Sequence, residues 1–238
     1  VLSDGPAGIR ITNEYIMYDL VPTDAKFDAS KTYYTGTYSW FGTTYTEIEF
    51  ANEAEYNAEV AKGTSLYTTT GTKYYQYCTA MPIGTLLAQA WDPTVIEEVG
   101  RAVGEEMLEY GVTSWLAPGM NIHRNPLCGR NFEYYSEDPL VAGLTGGNEA
   151  LGVQSNKGVG VTFKHFAGND QENSRNSQND VVSERAFREI YLKQFETAVK
   201  MSNPMGMMST YGIVNSVPTA NDYELLENIL RTEWGFEG

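Results

Sequence analysis

The chain has 238 residues, 42% of them hydrophobic, enough for the core of one α/β domain or two small ones and too many for a disordered chain. Lys and Arg number 16 against 31 Asp and Glu, a formal net charge of −15. Such a surface repels phosphate backbones and anionic lipid, so it argues against nucleic-acid and membrane partners, and no apolar run reaches the length of a membrane span. A neutral ligand such as a sugar is compatible with this charge. Cys78 and Cys128 form neither a disulfide framework nor a metal-ligand spacing, and free thiols suit a reducing compartment, so a cytoplasmic location is expected. With only His123 and His165, and no clustered ligands, neither a metal site nor a cofactor is expected.

In chain order, Val1-Leu2-Ser3-Asp4 shows no signal-peptide pattern and reads as the end of a strand entering a turn. Residues 11–77 differ in kind from the rest of the chain. They are rich in Tyr and Thr, interrupted by Gly36, Gly42, Gly63 and Gly71, and lack a helical stripe. Tyr33, Tyr34, Tyr38, Trp40 and Tyr45 alternate as on short antiparallel strands, either a solvated hairpin with cross-strand pairs or an aromatic platform. Asp92-Pro93 is a cap with proline in the first turn, and Val95, Val99, Val103 and Met107 mark the helix behind it.

Val112 to Pro118, Val159 to Phe166 and Met205 to Tyr211 are short apolar runs of the kind buried on both faces of a parallel sheet. Phe187, Ile190, Tyr191, Gln194 and Ala198 mark a helix starting near Ser183. Asn221 with Glu224 forms a capping-box-like start for Leu225, Leu226, Ile229 and Leu230. Gly143, Gly146 and Gly147 lack the spacing of a phosphate fingerprint and read as packing positions. Strands alternating with helices, without that fingerprint, predict an α/β fold of the (β/α)8 TIM-barrel type. The barrel is incomplete here, because a closed one needs about 250 residues. Residues 1–238 are then a partial barrel domain, with 11–77 an insertion within it, a hairpin or small lobe on a barrel loop.

The run Gly129 to Pro139 carries arginine, aromatics, acids and hydroxyls, too polar for a core strand. It reads either as a sugar-binding loop or as a surface loop whose acids pair with Arg124 and Arg130. In a (β/α) barrel, functional side chains sit at the C-terminal strand ends. Asp4, the loop holding His123, Arg124, Arg130 and Glu133, Lys164-His165 and Ser209-Thr210-Tyr211 all fall there. Each also has a structural reading: Asp4 as a turn cap before Gly5-Pro6, His165 as a satisfied core histidine, Lys164 as a partner of Glu133 or Asp170. Glu133, Asp170, Glu172 and Arg175 read as ion-pairing residues rather than catalysts.

Ser3-Asp4-Gly5-Pro6, Gly129-Arg130-Asn131-Phe132-Glu133, Lys164-His165-Phe166 and Ser209-Thr210-Tyr211 occur in the order seen in glycoside hydrolase family 3, which residues 1–10 and 78–238 resemble. The ending Leu230-Arg231-Thr232-Glu233-Trp234-Gly235-Phe236 resembles it too. The resemblance implies a retaining, exo-acting β-glucosidase that takes terminal glucose from β-glucosides or cello-oligosaccharides. It implies substrate-binding roles for Asp4, Arg130, Lys164, His165 and Tyr211. Gly212 and Ser216 depart from the family pattern around Tyr211.

Retention requires two carboxyl groups about 5 Å apart. By resemblance the nucleophilic aspartate follows Gly-Phe-x-Gly and is expected beyond Gly238, with the acid/base on a separate domain. No catalytic residue is assigned within the chain, which alone is expected to be inactive. The remaining domains of the enzyme, or other copies in a homo-oligomer, are its expected partners. A non-catalytic carbohydrate-binding protein and a family 3 β-xylosidase are the alternatives. Lys164-His165-Phe166-Ala167-Gly168-Asn169 lacks the second histidine of the family's hexosaminidases, and Asp4 favours glucose over xylose because it can reach a hydroxymethyl group.

Overall fold

A computed structural model describes residues 2–10, 12–39 and 42–238, which form two compact units. The first comprises residues 1–11 and 78–238, the second Thr12–Tyr77. Trp40, one of the aromatics placed on the alternating strands, lies outside the described residues.

The first unit is a mixed α/β layer structure. Strands β1 (Leu2–Asp4), β2 (Ser114–Leu116), β3 (Gly160–Phe166) and β4 (Gly206–Ser209) form one parallel sheet in chain order. The register sets Asp4 beside Leu116, Trp115 beside Val161 and Met207 beside Phe163. All C-terminal ends therefore share one edge of the sheet. Among the described residues the sheet is open, with β1 and β4 at its sides, and no barrel closes.

The strands are shorter than the apolar runs that predicted them. Beyond β2 the chain still pairs with β3, but irregularly: Thr162 N donates to Ala117 O at 3.2 Å, Lys164 N to Pro118 O at 3.0 Å and Met120 N to Lys164 O at 2.8 Å. Thr210 N likewise donates to Phe166 O at 2.9 Å past the end of β4. The backbone bonds persist while the regular ladder stops.

Helices α1 (Pro93–Glu109), α2 (Pro139–Gln154) and α3 (Lys193–Ser202) alternate with the strands. Asp92 caps α1 through Thr94 N at 2.9 Å, and Asp138 caps α2 through Leu140 N at 2.7 Å, each with proline in the first turn. The buried face of α1 is Ile96, Gly100, Val103, Gly104 and Met107, so the predicted stripe is rotated and Val95 is 43% exposed. Glycine is the reason. A Cβ on Gly104 would sit 2.6 Å from Val153 O of α2, and one on Gly100 would collide with the carbonyl of Glu149. The helices meet backbone to backbone, along a seam that a count of large apolar residues passes over. Toward α3, a Cβ on Gly143 would sit 2.9 Å from Gln194 O, and one on Gly147 would meet the Met201 side chain at 2.8 Å.

The segment before α3 departs from a uniform helix. Ser183 caps it through Ala186 N at 3.3 Å, then Leu192 N bonds to Phe187 O at 2.9 Å, a wide five-residue turn. That turn shifts the buried face. Leu192 and Phe195 enter the core while Ile190 from the predicted stripe is 40% exposed. The last helix, Glu224–Glu233, is capped by Asp222 through Leu225 N at 3.1 Å instead of by Asn221, which closes the preceding turn.

Of the two forms expected for the insertion, the second unit is the small lobe rather than the hairpin. Thr12–Ile16 pairs antiparallel with Lys73–Tyr77, and Asp19–Leu20, Leu66–Thr68, Tyr33–Ser39 and Gly42–Ile48 form a four-stranded antiparallel sheet in that spatial order. A helix, Glu53–Ala61, was not expected; Asn52 caps it through Ala54 N and Glu55 N. It buries only Tyr56 fully, too little to print a stripe. Tyr33, Tyr56 and Leu66, with Phe27, Phe50 and Val60, form a separate core. Tyr18 and Tyr45 stack at 3.9 Å, and Tyr45 meets Tyr67 edge-on at 5.0 Å.

One buried carboxyl gives a measurable handle on the first unit. Burial pushes Glu149 of α2 up to about 7 from its ordinary 4.5, against a hydrogen bond donated by Tyr135 Oη. Between these values the folded chain holds a proton that the unfolded chain has released, so stability falls as pH rises through that window. Glu149→Gln should leave stability unchanged below pH 4.5 and raise it above pH 7 by on the order of 3 kcal/mol, at about 1.4 kcal/mol per pKa unit. Urea titrations at both pH values test this, and an equal effect at both would refute it.

Candidate functional site

The polar groups gather at the C-terminal edge of the parallel sheet. Asp4 ends β1, residues 117–138 follow β2, Lys164-His165-Phe166 ends β3 and Thr210-Tyr211 follow β4. Lys164 is at the centre. Its side chain is 2% exposed, and Nζ donates to Asp4 Oδ1 at 2.5 Å and lies 3.0 Å from Glu133 Oε1. Glu133 is also buried, and its Oε2 accepts from Arg130 Nε at 2.7 Å and Nη2 at 2.6 Å. Arg130 Nη1 lies 3.9 Å from Glu172 Oε1, whose other oxygen accepts from Arg175 Nη1 at 3.2 Å.

Asp4 differs from Lys164 in exposure, with 59% of its side chain accessible. Among the described residues both hydrogen bonds to its carboxylate fall on Oδ1, from Lys164 Nζ and from Gly5 N at 2.9 Å. Oδ2 is available to a ligand hydroxyl. Burial pulls the Asp4 carboxyl upward, but Lys164, the Gly5 amide and Arg130 prevail and hold it below its usual value.

His165 is buried and held on two sides. Asn121 clamps its backbone, donating Nδ2 to His165 O at 2.9 Å and accepting from His165 N at 2.8 Å. Its Nδ1 lies 3.1 Å from Tyr134 Oη, which accepts from Asn169 Nδ2 at 2.9 Å. Burial, with Arg130, Lys164 and Arg175 nearby, pushes its pKa down to about 2, so the ring is neutral at physiological pH.

Four of the five expected site residues, Asp4, Arg130, Lys164 and His165, are thus drawn together. Tyr211 stands apart. It is 73% exposed, and among the described residues its contact toward the cluster is with Arg175, whose guanidinium lies 5.3 Å from its ring centroid. Of the two acids open as partners of Lys164, the structure selects Glu133. Asp170 instead lies 3.9 Å from Arg124 and lines a separate cavity of about 180 Å³ with Asp180, Phe187 and Tyr191. Burial pushes the Asp170 carboxyl up to about 7, Arg124 opposing and Asp180 adding to the rise.

Asn121, Tyr134 and Asn169 were not singled out from the sequence. Tyr134 follows Glu133 directly, and Asn169 lies four residues past His165, so proximity to the motifs was the available signal. Among the described residues no cluster of three or more metal-ligating side chains occurs, and no helix is long and apolar enough to cross a membrane.

Residues 65–238 match the family described as the glycosyl hydrolase family 3 N terminal domain. The chain belongs to glycoside hydrolase family 3. Beta-glucosidase A of Butyrivibrio fibrisolvens is 51% identical over 160 residues, 67% of this chain and 19% of that protein. An exo-alpha-(1->6)-L-arabinopyranosidase of Bifidobacterium breve is 47% identical over 160 residues, 67% of this chain and 21% of that protein. The structure of beta-glucosidase 3B from Thermotoga neapolitana in complex with glucose has a TM-score of 0.72 and 41% identity, covering 100% of this chain and 26% of that one. The chain therefore spans about a fifth of the length of the curated family relatives it matches.

The burial contrast across the Asp4–Lys164–Glu133 bridge predicts unequal costs. Lys164→Met strands buried Glu133 with one partner fewer and should cost about 3 kcal/mol in urea unfolding. Asp4→Asn removes an exposed partner and should cost under about 1 kcal/mol. Equal losses would show that the lysine is not the buried keystone of the cluster.

Proposed function

We propose that this chain is the glycone-binding part of a retaining, exo-acting β-glucosidase that acts on terminal non-reducing β-glucosyl residues. The observation that carries the reading is the gathering on one sheet edge of an exposed carboxylate, Asp4, the buried donor Lys164 that it binds, half-buried Arg130 and neutral His165. A carboxylate accepting from hydroxyls, opposed by cationic donors, is what a neutral polyol requires of its pocket. Asp4, Arg130, Lys164 and His165 are the substrate-binding residues in this reading, with Tyr211 at the margin. The names of the β-glucosidases among the relatives support glucose as the glycone.

In the same reading the first unit is part of a TIM-type (β/α)8 barrel, and Thr12–Tyr77 is an insertion in the connection after β1. The reactive carboxylate pair comes from other parts of such an enzyme. Each acid of the cluster is already committed to a cation, which suits holding a ligand better than attacking one. β-Glucosides or cello-oligosaccharides are the substrates, the other domains of the enzyme are the partners, and the cytoplasm is the location.

Isothermal calorimetry on the chain tests the binding role. Glucose should release heat of binding and xylose less, because Asp4 has no hydroxymethyl group to hold in xylose. Arg130→Ala should weaken glucose by about tenfold or more, the worth of a charge-assisted hydrogen bond. No binding of glucose by the unaltered, folded chain would remove the proposal.

A further inference from the structure

The hydrogen bonds around His165 specify which ring nitrogen carries its proton. Asn169 Nδ2, a donor only, gives one hydrogen to Tyr134 Oη at 2.9 Å and another to Glu172 Oε1 at 3.0 Å. Its orientation is fixed from both sides. Thr210 Oγ1 donates to Asn169 Oδ1 at 3.3 Å, and a flipped amide would turn its oxygen toward the Glu172 carboxylate. Among the described residues Tyr134 Oη has two hydrogen-bond neighbours, and Asn169 Nδ2 can only donate, so the one acceptor left for the buried hydroxyl proton is His165 Nδ1, at 3.1 Å. Nδ1 must then be the bare nitrogen, and the proton of the neutral ring sits on Nε2.

We propose that Tyr134 and Asn169 are positioning residues that lock His165 as the Nε2–H tautomer and make it an obligate hydrogen-bond donor. The ligand it serves rests on the glycone-site reading; the tautomer does not. Burial first, and then the charges of Arg130, Lys164 and Arg175, keep the ring from gaining a second proton. Arg130, Lys164 and His165 are then all donors, and Asp4 is the exposed acceptor. That set selects hydroxyl groups, which both accept and donate, and rejects an ammonium group at the same place.

The test is nuclear magnetic resonance on the chain labelled at its histidine nitrogens, with only His123 and His165 to resolve. In the unaltered chain His165 should carry its proton on Nε2. In Asn169→Ala the donor to the Tyr134 oxygen is lost, so that oxygen can accept from Nδ1 as readily as its proton can be given to it. The bias toward Nε2–H should fall. In Tyr134→Phe the bias should fall by about tenfold, the worth of one hydrogen bond of about 1.4 kcal/mol.

A proton on Nδ1 in the unaltered chain overturns the proposal, as does the same tautomer ratio in all three proteins. Should a variant fail to fold, the unaltered spectrum and the other variant still decide. Glucose titration separates the two readings. A responsive tautomer without glucose binding sinks the sugar site alone, and glucose binding with an unresponsive tautomer sinks the tautomer lock alone.

Discussion

Lys164 holds an ammonium group out of water at the end of a parallel strand, where desolvation costs several kcal/mol unless charge and hydrogen bonds offset it. Asp4 and Glu133 supply that offset, and the polar edge of the first unit follows from it. Glu133 is itself buried and needs a second cation, which is Arg130. Arg130 reaches Glu172, and Glu172 holds Arg175. Charges alternate from the end of β1, across the loop after β2, to the residues beyond β3. The loop from 117 to 138 is thereby tied by ion pairs to β3 and to the residues beyond it, where backbone ladders have ended.

The apolar side of the sheet meets a different constraint. The strands are short, so helices must come close to the sheet and to one another for the core to be dry. Glycine makes this possible where α1 meets α2 and where α2 meets α3. Helices packed backbone to backbone hold the strand ends at fixed spacing. The polar cluster depends on that spacing, because Nζ of Lys164 serves carboxylates from two different elements.

Much of this was legible in the sequence, and the misses have physical causes. Continuous apolar runs marked β2, β3 and β4, and Asp-Pro marked α1, because those signals are local. The face of α1 was misread because its seam is built on Gly100 and Gly104, which carry no hydropathy. The helix Glu53–Ala61 was invisible because one buried tyrosine makes no periodicity. The face before α3 was misassigned because the wide turn at Phe187–Tyr191 breaks the usual helical spacing. Within the site, charged residues in motifs were found, while Asn121, Tyr134 and Asn169 were not. Their roles lie in hydrogen-bond direction, which only the folded neighbours define.

Charge at two length scales bears on what the site can hold. The whole chain is strongly acidic, with a formal charge of −15, and repels anions at long range. The cluster itself is balanced: Asp4, Glu133 and Glu172 stand against Lys164, Arg130 and Arg175. A balanced cluster exerts little net pull on an ion of either sign, yet presents donors and an acceptor a few ångströms apart. Its preference must come from hydrogen-bond geometry, not from attraction. Neutral His165 fits that logic, since a charged imidazolium would have upset the balance and gained nothing in direction. The ligand such a site favours is one that offsets desolvation with many directed hydrogen bonds and no charge, a demand that the glycone proposed above would meet.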